Sequence, residues 1–141
     1  MSATLAYAAI ANPPRSGRTT VAGWIVSGLT IAMLTLDGAM KLILPDLMIA
    51  NSPPGILPHD ADMYRLIGAI LLVCTLFYAI QRTAVLGAIL VTAYLGGAVA
   101  SNIAVQNPLF SHTLFGVYLG VAAWGGLWLR DARIRALLPL R

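Results

Sequence analysis

Four long apolar stretches constrain this chain more than any other feature of its sequence. Each has roughly the length of about 20 mostly apolar residues that a membrane-spanning helix needs. They are Val21–Leu44, Met63–Ile80, Thr83–Val105 and Leu109–Leu129. Only 10% of the residues are charged, whereas soluble domains carry roughly 25%. With a mean hydropathy of +0.82, the sequence predicts an all-α membrane protein whose solvent is the lipid bilayer.

The connections between these stretches predict how the helices are arranged. The second connection is the dipeptide Gln81-Arg82, and the third, 106–108, is nearly as short. Because short connections force antiparallel neighbours, we predict a four-transmembrane-helix up-down-up-down bundle. The first connection, 45–62, holds four prolines and exceeds the roughly 12–15 residues of ordinary loops. We expect it to begin with a short helix at Pro45 and to fold over one mouth of the bundle.

Basic residues predict the orientation in the membrane. Arginines precede the first span, Arg82 separates the second from the third, and four arginines follow the fourth, whereas the long loop carries three aspartates and no Lys or Arg. The positive-inside rule then places both termini in the cytoplasm and the long loop outside. We divide the chain into a cytoplasmic leader (1–20), a transmembrane bundle (21–129) and a basic cytoplasmic tail (130–141). The arginines of the tail are expected to contact anionic lipid headgroups.

Several functional classes find no support in the composition. The nine Lys and Arg residues are too few and too dispersed for a nucleic-acid-binding track. Cys74 is the single cysteine, which excludes an intramolecular disulfide and a CxxC redox pair. His59 and two neighbouring aspartates would hold a metal only weakly, so we predict no metal site. Phosphate-loop, dinucleotide and hydrolase motifs are missing from the sequence, and it defines no cofactor.

An aspartate and a lysine interrupt the first apolar stretch. Asp37 lies about 10 Å inside the predicted outer end of the span, and Lys41 follows one turn later on the same face. A central Asp or Lys costs about 2.5–3.5 kcal/mol in a membrane helix, and such residues mostly face the bundle interior. We assign Asp37 and Lys41 as tentative catalytic residues. Their depth matches that of four candidate ligand-binding residues on the other helices, which are Arg65, Tyr94, Asn102 and His112.

Small residues predict close helix contacts. The fourth stretch contains GVYLG (116–120), a GxxxG sequence, and small residues recur every four positions in the third stretch from Ala88 to Ala104. Such residues let helix backbones approach closely in lipid. The sequence leaves open whether these contacts form within one chain or join protomers into a homo-oligomer.

Two stretches resemble the DoxX-like family of small four-span bacterial membrane proteins. They are QRTAVLGAILVTAYLGGAVASN (81–102) and YLGVAAWGGLWLRDARIRALLPLR (118–141), and LDGAMKL in the first helix fits the Asp…Lys pattern of the family. The resemblance spans roughly residues 21–141. It implies a multi-pass four-helix bundle in the bacterial cytoplasmic (inner) membrane. Some relatives are associated with quinone-linked or thiol redox systems and distant ones with receptor assembly. The thiol role is not carried over, because this chain has no paired cysteines.

Three functions stay open at this stage. The first is a pocket for a small lipophilic ligand or substrate in the outer half of the bundle. There Asp37 would be the acid/base or anionic anchor and Lys41 and Arg65 its electrostatic partners, while Asn102 and His112 would supply hydrogen bonds. The second is a non-enzymatic assembly or stability partner of another membrane protein. The third is a small proton-coupled exporter, against which Lys41 and the long loop argue. A purely structural ion pair, and a Lys41 that snorkels to the headgroups, also stay open, as does the question of enzymatic activity.

Overall fold

The computed structural model describes residues 17–52 and 60–137, and within these two ranges the chain forms helices and no strands. The helices are α1 (Gly17–Ile43), α2 (Pro45–Ala50), α3 (Ala61–Ala79), α4 (Ala84–Ala104), α5 (Phe115–Arg130) and α6 (Ala132–Leu137). The predicted all-α class is therefore confirmed. Residues 1–16 of the leader, 53–59 of the long loop with His59, and 138–141 of the tail lie outside the described residues.

Three of the predicted spans are single helices. Helices α1, α3 and α4 are each long and apolar enough to cross a membrane. Helix α1 begins at Gly17, ahead of the predicted start at Val21, so the last residues assigned to the leader form its first turn. Helix α3 begins after Asp60, whose carboxylate accepts a hydrogen bond from the backbone N–H of Asp62 (3.1 Å). Aspartate is a preferred residue at this capping position.

The fourth predicted span is divided into two parts. A π-helical turn, Leu109–Thr113, precedes the 16-residue helix α5. In this turn the Pro108 carbonyl accepts from the Thr113 N–H (3.2 Å) and the Leu109 carbonyl from the Leu114 N–H (2.8 Å), the five-residue spacing of a π-helix. Taken alone, α5 is shorter than the about 20 residues of a typical span. Among the described residues, three helices reach that length without a break.

The short helix predicted after Pro45 is present as α2, which has proline in its first turn and ends at Ala50. Two side chains satisfy the carbonyls at its end. The Asn51 side chain donates to the Leu47 carbonyl (2.8 Å), and the Ser52 hydroxyl donates to the Met48 carbonyl (2.7 Å). Because α2 contacts both α1 and α3, the first part of the long loop packs against the bundle.

The core lies where α1, α3, α4 and α5 meet. Tyr78 of α3 is completely buried there. Its hydroxyl donates to the Ala123 carbonyl of α5 (2.8 Å) and lies 3.2 Å from the Ser27 hydroxyl of α1. This one side chain therefore links three helices. The apolar residues packed in the same core include Leu34, Leu71, Val91 and Leu127.

Small residues set the distance between helices. A Cβ atom added at Gly87 of α4 would overlap the backbone of Tyr78 in α3, and one at Gly126 of α5 would lie 2.5 Å from the Ser27 Oγ of α1. One added at Gly116 would lie 3.0 Å from Val99 of α4. Backbones approach closely at these positions, as small residues allow in membrane proteins. The GxxxG sequence of α5 thus contacts α4 through its first glycine.

The outer surface of α1 is strongly apolar. Ile25, Leu29 and Leu36 are 58%, 63% and 64% exposed. Leu66 and Leu76 of α3 and Val121 of α5 are exposed to a similar extent. Contiguous apolar surface of this extent is unfavourable in water and matches the hydrocarbon interior of a bilayer. The apolar helices place the molecule in a lipid environment.

Candidate functional site

Asp37 and Lys41 form an ion pair near the end of α1. The Lys41 ammonium donates to both carboxylate oxygens of Asp37, and the two residues lie one turn apart on the helix. The Lys41 side chain is only 15% exposed, whereas that of Asp37 is 43% exposed. The carboxylate is therefore the accessible member of the pair, and the ammonium is the packed one.

The ion pair lies in the wall of a cavity of about 760 Å³. This volume falls within the range of about 300–1,000 Å³ that is typical of small-molecule sites. The wall combines residues from α1, α2, α3, α4, the π-helical turn and α5. Its polar members are Asp37, Lys41, Ser52, Tyr64, Tyr94, Ser101 and His112. Its larger apolar members are Met33, Leu34, Leu36, Met40, Met48, Ile67, Leu95, Phe115 and Leu119.

Helix geometry explains the contribution of α1 to this wall. Met33, Leu36, Asp37, Met40 and Lys41 all line the cavity, and their spacing of three and four residues places them on one helical face. The charged residues therefore continue an otherwise apolar face.

The cavity also reaches the outer surface of the molecule. Met33, Leu36 and Phe115 line it, yet each is at least 45% exposed. The same side chains therefore form both the wall of the cavity and part of the apolar exterior.

Four of the six predicted site residues line this cavity. They come from α1, α4 and the π-helical turn, and they are Asp37, Lys41, Tyr94 and His112. The ring Nδ1 of His112 is hydrogen-bonded to the Ser111 hydroxyl (2.7 Å) at an exposed position. These four residues, which were predicted to lie at a similar depth, share one cavity in the structure.

Arg65 lies elsewhere. Its guanidinium donates to the Asp62 carboxylate at 2.9 Å, and both side chains are at least half exposed. Asp62 is one turn earlier on α3, so the two side chains meet on the outer face of the helix. Tyr64, which directly precedes Arg65 on α3, lines the cavity instead.

The Asn102 side chain forms its hydrogen bonds at the end of α4. Its side chain donates to the Ala98 carbonyl (2.8 Å) and accepts from the Asn107 side chain (2.5 Å). Helical geometry explains why Tyr94 lines the cavity and Asn102 does not. At 3.6 residues per turn, two steps of four residues rotate a side chain by about 80°. Ser101, seven residues after Tyr94, returns to the cavity face.

The sequence analysis did not identify Tyr64 or the methionines of the wall. Tyr64 is 2% exposed, and a lone tyrosine near the start of a span gave no sign of a site. Met33 and Met40 are seven residues apart with Asp37 between them, which is a signal that they share the face of the ion pair. Methionine is flexible and adapts to ligands of different shape. Within the described ranges, no group of three or more His, Cys, Asp or Glu side chains could hold a metal ion.

Comparison with known proteins relates the chain to a family. A model described as the DoxX-like family matches residues 25–126. The matched segment contains every residue that lines the cavity. No curated protein and no solved structure matches the chain. Together with the three apolar helices of spanning length, the match identifies a multi-pass membrane protein.

Proposed function

This chain belongs to the DoxX-like family, and we propose that it holds a small lipophilic ligand or substrate in the cavity beside Asp37. The observation that carries the proposal is a charged pair in the wall of an otherwise apolar cavity of ligand size. A few polar groups in an apolar pocket are the usual composition of a small-molecule site.

The geometry of the ion pair favours a ligand-binding role over a purely structural one. Asp37 and Lys41 belong to the same helix, so their pairing does not join α1 to a neighbour. The Asp37 side chain also remains 43% exposed, although exposed charge is costly in a membrane. A ligand that donates a hydrogen bond to this carboxylate would offset that cost.

The wall also defines the chemistry of the ligand. It would need an apolar body that fits against Met33, Met40 and Leu119, and a hydroxyl or carbonyl group at one end. Asp37 would accept a hydrogen bond from a hydroxyl, and Lys41 would donate one to a carbonyl. Tyr94 and His112 line the same cavity and would orient that end of the ligand. The long loop would act as a lid. Met48 and Ser52, in the first part of this loop, line the cavity and support that role.

The proposal includes four antiparallel spans, the fourth formed by the π-helical turn and α5 together. Gly23 near the start of α1 packs against Leu129 at the end of α5, and Gly38 near the end of α1 packs against Gly68 near the start of α3. These contacts support neighbours that run in opposite directions. The positive-inside rule then orients the bundle in the inner membrane with both termini cytoplasmic and the ion pair in the outer half.

A second candidate function is that of an assembly or stability partner for another membrane protein. A Cβ atom added at Gly96 of α4 would meet nothing within 4 Å, and Ala100 one turn later is also exposed. This spacing of small residues would admit a close helix from another protein or from a second copy of this chain.

Native mass spectrometry of Asp37→Asn tests the ligand-binding proposal. We expect a small molecule to copurify with the wild-type protein and to be lost from Asp37→Asn. The amide is a weaker hydrogen-bond acceptor than the carboxylate and cannot form an ion pair with Lys41. Circular dichroism would show that the variant remains helical. The matched control is Asp62→Asn, which removes the exposed ion pair to Arg65 and should retain the molecule.

Two results would contradict the proposal. One is an equal amount of bound molecule in wild type and Asp37→Asn, and the other is no bound molecule in the wild type. A stoichiometric protein partner, lost on Gly96→Leu and retained in Asp37→Asn, would instead support the second candidate function.

A further inference from the structure

A second, smaller cavity lies at the other end of α1 from Asp37. Its volume is about 230 Å³. It is bounded by the start of α1, the connection between α3 and α4, and the end of α5. The residues that matter in its wall are Trp24, Gln81, Arg130, Asp131 and Arg133. Two of these five side chains are cationic, and one of them, Arg130, lies beside the Trp24 ring.

Arg130 is the unusual member of this wall. Its terminal nitrogens Nη1 and Nη2 are shielded from solvent and have no hydrogen-bond partner among the described residues. The guanidinium carbon lies 4.4 Å from the centre of the Trp24 ring and 5.6 Å from that of Tyr78. Aromatic faces attract a cation, but they do not replace the oxygen acceptors that guanidinium N–H groups need.

Acceptors that neighbour Arg130 in the sequence form hydrogen bonds with other arginines. The Asp131 carboxylate accepts hydrogen bonds from the backbone N–H (2.9 Å) and the Nε (3.5 Å) of Arg133. The Trp128 and Leu129 carbonyls both accept from Nη1 of Arg135 (3.1 Å each). Asp131 and Arg133 balance each other, so the charge of Arg130 is left without a counterion in the wall.

From these contacts we infer that this cavity binds a phosphate group through Arg130, with Arg133 and Gln81 at its edge. A phosphate offers several oxygens in the geometry that a guanidinium matches with two parallel hydrogen bonds. Because the two terminal nitrogens are shielded, binding requires the guanidinium to turn toward the cavity. The phosphate belongs either to a phospholipid headgroup, whose glycerol would lie against Trp24, or to free phosphate.

This site is distinct from the cavity beside Asp37. It sharpens the proposed attraction between the basic tail and anionic headgroups from a diffuse effect into one defined position. It therefore rests on the proposed placement of this end of the bundle at a membrane surface. It does not depend on any ligand at Asp37, so Asp37→Asn should leave phosphate binding unchanged even where it abolishes binding in the larger cavity.

Native mass spectrometry tests the inference, with three probes titrated into the purified full-length protein in detergent. The probes are dioctanoyl phosphatidylglycerol, dioctanoylglycerol, which lacks the phosphate, and inorganic phosphate. We expect one equivalent of phosphatidylglycerol to bind saturably, and Arg130→Gln to weaken it by about tenfold or more. Arg130→Lys should weaken it similarly, because a single ammonium lacks the paired donors.

The matched control is Arg82→Gln. Arg82 is exposed on the connection between α3 and α4 at the same end of the bundle but does not line the cavity. Its removal should change the affinity by less than about twofold. Since Arg130→Gln removes a packed side chain, Gln81→Glu provides a second variant. It places a negative charge at an exposed edge of the cavity and should also weaken binding by about tenfold.

Each outcome decides the question. Binding of inorganic phosphate with the same dependence on Arg130 would identify free phosphate as the ligand, and binding of the phospholipid alone would identify a headgroup. Equal binding of dioctanoylglycerol would overturn the inference, because acyl chains would then account for it. An equal loss in Arg82→Gln and Arg130→Gln would also overturn it, as would the lack of any saturable binding.

Discussion

Tyr78 shows how much a single polar group contributes to this apolar core. Tyr78 belongs to α3 and is completely buried, and its hydroxyl forms hydrogen bonds with residues of α1 and α5. Within a bilayer core, water does not compete for these hydrogen bonds. The expectation that such bonds are very strong in membranes is only partly met, since measured values average about 0.6 kcal/mol.

Tyr78→Phe is therefore expected to destabilise the protein modestly. The substitution leaves the ring in place and removes the hydroxyl, so the Ser27 hydroxyl and the Ala123 carbonyl each lose a partner. We expect the free energy of unfolding to fall by about 0.6–1.5 kcal/mol. Thermal unfolding in detergent, followed by circular dichroism, would detect this as a lower Tm. Tyr118→Phe is the control, because Tyr118 is 50% exposed, and equal Tm values for the two variants would contradict the expectation.

Residue type alone identified some site residues and not others. Asp37 and Lys41 stand out because charge is rare in an apolar run. Tyr64 and Met33 do not stand out, because tyrosine and methionine are ordinary in membrane helices. Their place in the cavity depends on the rotation of α1 and α3, and tertiary packing sets that rotation.

Repeats of four residues account for the main differences between the expected and observed faces of α4. Each step of four rotates by about 40°. Ala88 is completely buried, yet Gly96, two steps later, faces open space. The same rotation removes Asn102 from the face of Tyr94. A regular four-residue spacing therefore identifies small and polar residues on a helix but does not place them on one contact surface.

Gly97 and Gly96 provide a matched pair of variants on α4. A Cβ atom at either position would meet nothing within 4 Å, but only Gly97 lines the larger cavity. Gly97→Leu should fill part of the cavity and weaken the binding of the copurified molecule by about tenfold or more. Gly96→Leu makes the same change in helix propensity and should leave binding unchanged. Native mass spectrometry measures both, and equal losses would show that the effect comes from the helix and not from the cavity.

At the scale of the whole molecule, hydropathy predicted which segments are helical but not how the fourth one begins. An apolar window registers composition, whereas a π-helical turn is a change in hydrogen-bond register. The sequence signal is local, because Pro108 has no N–H to donate. In the structure, the nearby Gln106 takes a left-handed backbone conformation (φ 55°). These two residues end α4 and start the next segment with an altered register.

The proposed topology is testable by cysteine labelling in intact cells. A Cys74→Ala background would carry either Ser52→Cys, after α2, or Arg82→Cys, between α3 and α4. By the positive-inside rule, Ser52→Cys should react with a membrane-impermeant maleimide from outside. Arg82→Cys should react only after the membrane is permeabilised. The reverse pattern would invert the orientation, and labelling of both sites from one side would contradict the antiparallel arrangement of α3 with its neighbours.

For the proposed ligand, the exposed side chains in the wall of the larger cavity would determine how occupancy depends on concentration. Met33, Leu36 and Phe115 connect the cavity to the apolar exterior, so its ligand would enter from the lipid phase by lateral diffusion. A lipophilic molecule is enriched in that phase by partitioning. Occupancy would then follow the mole fraction of ligand in the bilayer, and adding empty vesicles at constant total ligand would lower the occupancy.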